Sequence, residues 1–474
     1  MKKSISLILL FIILLTQVFI FSSCIFDKYS LDLDGFGYTA VEGGYIVKGI
    51  DIKNRTKSTI VVPSEHRGKP VVGIDKNAFA AYPILKFVYI PDSVKTIGDY
   101  AFAGCIRLPE IHIPNSVTHI GNEVFMGCTS LKTINLPDSL TYIGDGAFLG
   151  CTALEKISIP DSVEYIGNWL FNTCTNLLEV NFGNGLKSIP NHVFHNVTSV
   201  QKVVIGNSVT TIEELAFDAC ISLTEITFGN SVSTIGDHAF AQCRSLTNIT
   251  LPDSLISIGM DAFGNCYSLT DINIPDSVES IGVYAFINCM SLTNIKIGSS
   301  VKEIGLVAFS GCYSLANIDV DENNEYYQSI DGNLYSKDGT TLVQYALGKE
   351  ATSFAIPNFV QNVNYFAFLD SVNLTTIDIP DSVTNIYPAA FKNCISLTDI
   401  VIPDSVTEIG MMAFEGCSSL DTVYIPDSVL IVGENAFKEC WGLTIYCEAE
   451  SKPEGWDDKW NPDYCKVVWG YKPE

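Results

Sequence analysis

The stretch Ile90-Pro-Asp-Ser-Val-Lys-Thr-Ile-Gly-Asp-Tyr-Ala-Phe-Ala-Gly-Cys-Ile-Arg-Leu-Pro-Glu-Ile-His112 is followed at once by Ile113-Pro-Asn-Ser-Val-Thr-His-Ile-Gly121, the same order again. Its Cys falls on a ladder with a step of 23 residues: Cys105, Cys128, Cys151, Cys174, Cys220, Cys243, Cys266, Cys289 and Cys312, restarting at Cys394, Cys417 and Cys440. Its Phe recurs fifteen times, from Phe79 to Phe309 and again from Phe368 to Phe437. A fixed period of this length is the signature of a solenoid, in which each unit is too small to bury its own apolar face and must stack on its neighbours.

Within one unit, Leu108-x-x-Ile111-x-Ile113 alternates with period two, which predicts a short strand with Ile111 and Ile113 inward and Glu110 and His112 outward. Pro114 ends that strand, or Gly in its place at Gly206, Gly229 and Gly298, and Asn115-Ser116 fits a turn whose side chains satisfy backbone groups. Val117 and Ile120 form a second inward pair before Gly121, and the remainder, Val124 to Cys128, has room for about one helical turn. The expected fold is a repeat solenoid of about fifteen coils with a parallel sheet on one face, inner ladders of Leu, Ile, Phe and Cys, a cap at each end and one hairpin insertion.

The motif Ile-Pro-Asp-Ser-Val-x-x-Ile-Gly-x-x-Ala-Phe-x-x-Cys-x-x-Leu resembles the BspA-like leucine-rich repeat family of bacterial and protist surface proteins. The resemblance covers residues 38 to 474. Gly43-Gly-Tyr45 and Pro63-Ser-Glu-His-Arg-Gly-Lys-Pro70 resemble that family's N-terminal cap, and Ile445 to Tyr471 its C-terminal cap. Between Phe309 and Phe368 the period is interrupted by a segment in which Lys337-Asp-Gly339, flanked by Leu334-Tyr335 and Leu342-Val343, reads as a hairpin turn. The organisation that follows is a signal peptide over 1–23, a tether over 24–37, an N-terminal cap over 38–75, leucine-rich repeat coils over 76–320, the hairpin insertion over 321–355, further coils over 356–444 and a C-terminal cap over 445–474.

At the N-terminus, Met1-Lys-Lys-Ser4, the apolar run Ile5 to Phe21, and Ser22-Ser23-Cys24 follow the charge, apolar and small-residue order of an export signal. Phe21-Ser-Ser-Cys24 resembles a bacterial lipobox, which implies acylation of Cys24, although Phe21 departs from the usual Leu. An uncleaved anchor is the alternative, since the run is close to the shortest that spans a bilayer. Either reading makes the protein exported and membrane-anchored, with the cell surface as the expected location.

The chain has 474 residues, 28 Lys+Arg against 53 Asp+Glu, and a net charge of −25, a field that repels nucleic-acid backbones. With 47% hydrophobic residues it is too apolar for disorder. Chemistry-bearing constellations are scarce. No C-x-x-C, G-x-S-x-G, H-E-x-x-H or P-loop occurs, so no enzyme activity, cofactor or metal is expected. His192 and His195 have an i, i+3 spacing but no further ligand in sequence, and read as exposed imidazoles of an irregular coil. The Cys ladder reads as buried thiols acting as small hydrophobes, while pairing of Cys447 with Cys465 stays open. The recurring Asp92, Asp138, Asp161, Asp253, Asp276, Asp381, Asp404 and Asp427 read as turn caps; Asp319, Asp321, Glu322 and Glu325 form an acidic group, with Ca²⁺ as the alternative to a solvated cluster.

A solenoid presents a long row of outward strand residues, suited to large partners. Aromatic side chains are the expected anchors: Phe87 and Tyr89 on the strand face, Tyr267, Tyr313 and Trp441 in the loop after Cys, Tyr335 in the hairpin, and Tyr424 on a late strand. The family resemblance implies a non-enzymatic, adhesin-like surface lipoprotein, monomeric, that engages host matrix proteins or other cells. A glycan-binding lipoprotein and a structural envelope or assembly scaffold are the alternatives.

Overall fold

A computed structural model describes residues 35–51 and 55–472. The leader over 1–23 and the acylation site Cys24 lie outside the described residues. The described chain forms two compact units divided between Leu246 and Thr247. Each is a solenoid of short parallel strands, and together they hold about 18 turns of roughly 23 residues. Two of the turns beyond the fifteen counted on Phe carry other rings at the rung: Tyr345 stacks on Phe368 at 5.3 Å, and Trp460 meets Phe437 edge-on at 5.9 Å, each 23 residues away.

Most coils contribute a main strand and a two-residue second strand, although at Asn248 the main strand shrinks to an isolated bridge with Asp271. In the first unit Glu110–His112 pairs with Thr133–Asn135, and Lys156–Ile159, Glu179–Phe182, Lys202–Val204 and Glu225–Thr227 pair in turn, each residue with the one 23 further on. The inward expectation holds: Ile111 is buried while Glu110 and His112 are exposed. Second strands form their own ladder, as at Thr96↔His119, His119↔Tyr142 and Tyr142↔Tyr165.

The recurring residues each have a bonding role between coils. The Ser of Pro-Asp-Ser donates to the carbonyl of the previous coil's Val or Leu, as in Ser139 to Val117 at 2.8 Å and Ser162 to Leu140 at 2.7 Å. The Cys Sγ donates to the Phe carbonyl of the previous coil, as in Cys128 to Phe102 at 3.2 Å and Cys289 to Phe263 at 3.2 Å. Between the strands the Phe rings stack, Phe102 on Phe125 at 5.8 Å and Phe391 on Phe414 at 5.2 Å. All these rings are fully buried, and removal of each from water contributes about 1.5–3 kcal/mol.

The expected helical turn is absent: among the described residues the segment from Val124 to Cys128 and its equivalents form consecutive turns, with no helix. The reason is two left-handed residues per coil, four apart. Trp169 and Thr173 have φ of 60° and 59°, and His192 and Asn196 have 56° and 59°. A helix cannot pass through such residues. The amides freed from helical bonding reach the next coil instead, as Phe102 N to Val124 O at 2.9 Å and Phe125 N to Ala147 O at 2.8 Å.

In the second unit the insertion is a three-stranded antiparallel meander, Tyr327–Ile330, Asn333–Ser336 and Thr341–Gln344. Its turn at Gly339 (φ 79°) is held by Asp338, whose Oδ1 accepts from Ser336, Thr340 N and Thr340 Oγ1. The third strand is already part of the solenoid, since Thr341 and Leu342 pair in parallel with Asn362 and Val363. Buried Asn324 ties the insertion down: its Nδ2 donates to Gly298 O and Val301 O, and its Oδ1 accepts from the amides of Tyr326 and Tyr327.

Candidate binding surfaces

The outward strand face carries the side chains available to a partner. In the first unit it opens on an aromatic patch: Phe87 and Tyr89 are each 48% exposed, and Tyr89 pairs with Val61, itself 60% exposed. Beyond it runs a column of alternating charge, with Lys156 to Glu179 at 2.6 Å and Lys202 to Glu225 at 2.6 Å. Lys156 holds the Glu179 carboxyl below the usual carboxylate range through a hydrogen bond and its charge. These pairs are exposed, worth little to stability, and give this part of the face a fixed charge pattern.

In the second unit the same face is mostly small and polar, as at Asp271, Asn294 and Asn317, until its C-terminal strands. There Val401, 61% exposed, pairs with Tyr424, Tyr424 with Tyr446 and Tyr446 with Val468. Tyr471 closes over them, its ring 4.6 Å from Tyr446 and 6.1 Å from Tyr424. Burial together with the Glu448 carboxylate pushes the Tyr424 phenol up, so its hydroxyl stays a donor. Tyr424 is therefore one member of a cluster. Tyr446 and Tyr471 escaped the sequence reading because the cap strand Thr444–Cys447 breaks the 23-residue step; Thr444 pairs with Thr422, 22 residues earlier.

The other expected anchors are dispersed. Tyr267 is half-buried and Tyr313 45% exposed, and they occupy the same coil position two coils apart with Met290, 44% exposed, between them. Trp441 is 65% exposed, at the same position in a later coil. Tyr335 is buried at 1% and packs 6.1 Å from Phe359, so it offers no surface to a partner.

One row was not anticipated. Three residues before the Phe, the first unit carries a polar ladder in which Asp99 Oδ1 accepts from Asn122 N, Asn122 Oδ1 from Asp145 N and Asp145 Oδ1 from Asn168 N. The second unit places Met260, Val283, Leu306, Tyr365 and Met411 there, all at least 37% exposed. The signal lay in comparing one position down the repeat, where polar gives way to apolar.

The groups weighed for chemistry have local employment. Among the described residues no group of three His, Cys, Asp or Glu is placed to hold a metal ion. Asp321 Oδ1 accepts from both nitrogens of Asn323, and Asp161 Oδ1 caps the amide of Asn184 in the next coil. His192 stacks on Trp169 at 4.1 Å and meets His195 edge-on at 5.5 Å. The fourteen described cysteines are free thiols, Cys447 and Cys465 included. Burial pushes the Cys105 and Cys174 thiols up to about 12, far from reactive thiolates.

Stacked parallel coils, inner Phe and Cys ladders and an outward strand face define a leucine-rich-repeat solenoid. The sequence matches the profile of the BspA type leucine rich repeat region over residues 72–200, 187–316 and 340–449, and the chain belongs to that family. Among solved structures it is similar to a leucine-rich repeat protein from Bacteroides ovatus, 25% identical, with a TM-score of 0.59 over 93% of this chain and 100% of that one. It also matches a leucine-rich repeat protein from Eubacterium ventriosum, 27% identical, with a TM-score of 0.45 over 57% of this chain and 66% of that one. A leucine rich cell surface protein from Faecalibacterium prausnitzii is 24% identical, with a TM-score of 0.46 over 94% and 99% of the two chains. No curated protein matches.

Proposed function

We propose that this chain is a non-enzymatic, surface-exposed binding protein that engages extracellular proteins or neighbouring cells through its outward strand face, as an adhesin-like member of its family. The observation that carries this reading is the cluster Val401, Tyr424, Tyr446 and Tyr471. A partly exposed aromatic cluster on a parallel sheet, with Val401 and Tyr471 open to solvent, has the composition of a protein-binding hot spot. Export and anchoring through Cys24 belong to the same reading, which the order of charged, apolar and small residues in the leader supports.

The test is a binding assay of the purified chain against immobilised matrix proteins and intact bacterial cells, beside Val401→Asp and Tyr424→Ala variants. A ligand retained by the parent and lost by both variants, with unchanged thermal melts, is the expected result. Retention of every ligand by both variants would move the binding surface elsewhere. Protease shaving of intact cells checks the location: cleavage of this chain while an internal control survives is expected, and resistance until the envelope is opened would replace the adhesin with an internal scaffold.

A further inference from the structure

Lys86, Arg107 and Lys132 gather around a surface depression of about 480 Å³, completed by Pro109, Thr129, Ser130 and Ala153. None of the three cations is in an ion pair among the described residues, although the chain carries 53 acidic side chains. The backbone ladder is interrupted at this place, although the strands stay side by side. Strands Phe87–Tyr89 and Glu110–His112 lie in separate ladders, as do Thr133–Asn135 and Lys156–Ile159. At the first break Pro109 has no N–H to offer the Lys86 carbonyl, whereas in the next coil Lys132 N reaches Pro109 O at 2.9 Å.

Acidic residues bound the basic spot. Glu110 follows Pro109, and Glu155 holds, one coil on, the position that Lys86 and Lys132 hold. The Thr129 and Ser130 hydroxyls donate to Ile106 O, so an anion would be held by the cations alone. An Arg fork between two ammonium groups matches one carboxylate or sulfate. An extended polyanion would instead run onto the surrounding carboxylates and against the net charge of −25. Directly beside Lys86, the exposed Phe87 and then Tyr89 supply flat apolar rings.

We propose that this depression binds an acidic sugar, a glycan bearing an isolated carboxylate or sulfate, with the charged group between Lys86, Arg107 and Lys132 and the sugar ring against Phe87. The site is independent of the aromatic cluster around Tyr424.

The test is titration calorimetry of the whole chain with sialyllactose, a sulfated lactose and plain lactose, with heparin and single-stranded DNA as polyanions. At least one acidic sugar should bind about tenfold or more tightly than lactose, and the stronger of the two identifies the acid group. Lys86→Ala/Arg107→Ala/Lys132→Ala should abolish that binding, Phe87→Ala should weaken it, and Lys57→Ala/Lys95→Ala/Lys187→Ala, with the same loss of charge elsewhere, should retain it. Unchanged melts would show that the variants fold. Equal binding of lactose, equal loss in both triple variants, or preference for heparin or DNA would overturn the proposal.

Discussion

The Phe rung and the Cys rung act at the level of single side chains. Phe125 lies between Phe102 and Phe148, stacked at 5.8 and 5.6 Å and fully buried. Because its neighbours are held by backbone bonds on both sides and cannot collapse inward, Phe125→Ala should cost about 3–5 kcal/mol, read as a lowered denaturant midpoint; an unchanged midpoint would refute its packing role. Cys is the recurring partner because it combines apolar volume with a weak donor for the neighbouring Phe carbonyl. Ser371 breaks the pattern: it stands 26 residues after Tyr345, where a Cys would reach the rung carbonyl, yet its buried hydroxyl has no partner. Ser371→Cys should therefore stabilise the second unit by about 1 kcal/mol, and a fall in melting temperature would contradict that assignment.

At the scale of the element, strands were legible and turns were not. Alternation at Leu108, Ile111 and Ile113 is visible in any one coil, because a buried face demands apolar residues. The first left-handed residue of each turn is Tyr100, Trp169 or Leu215 in different coils, types that do not advertise positive φ, whereas the second is often Gly or Asn, as at Gly104, Gly127 and Asn196. Inter-coil bonds impose that geometry, so one coil read alone points to a helical turn. The Tyr345 rung was hidden in the same way, by a change of residue type beside the meander. The irregular coil from Trp169 to Asn196 has its own pH response. Burial, reinforced by His192, lowers the His195 pKa against a smaller opposing effect of Asp218. The folded state then favours neutral imidazole, so its stabilising contribution is complete above the ordinary histidine pKa of about 6.5 and declines as pH falls below it. The urea midpoint of the parent should fall from pH 7.5 to 5.5 more steeply than that of His195→Asn; equal slopes would exclude the imidazole as the source.

For the molecule as a whole, the open end of a stack is the structural liability. In the second unit the last coil is covered by Trp456, Trp460 and Trp469, with Trp456 and Trp460 at 4.9 Å and the Trp456 indole N–H donating to Val429 O at 3.0 Å. Truncation after Phe437 removes this cover and leaves an apolar rung and unpaired strand edge. The product should associate, seen as larger species by light scattering; a monodisperse monomer would show that the tryptophans are not a cap. The repeat was readable from sequence, since it follows from the 23-residue step. The aromatic cluster proposed as the binding surface was only partly readable, because Tyr446 and Tyr471 join Tyr424 across a strand whose spacing departs from 23 residues. The bonds between coils join residues 22, 23 or 26 apart, as Ser139 to Val117, Asn122 to Asp99 and Cys128 to Phe102. Deleting or duplicating 23 codons inside an unbroken run therefore re-creates each of these bonds with a new partner of the same kind. The number of coils is thus a property the fold can change without rebuilding its core, because each interface is supplied by the neighbouring repeat.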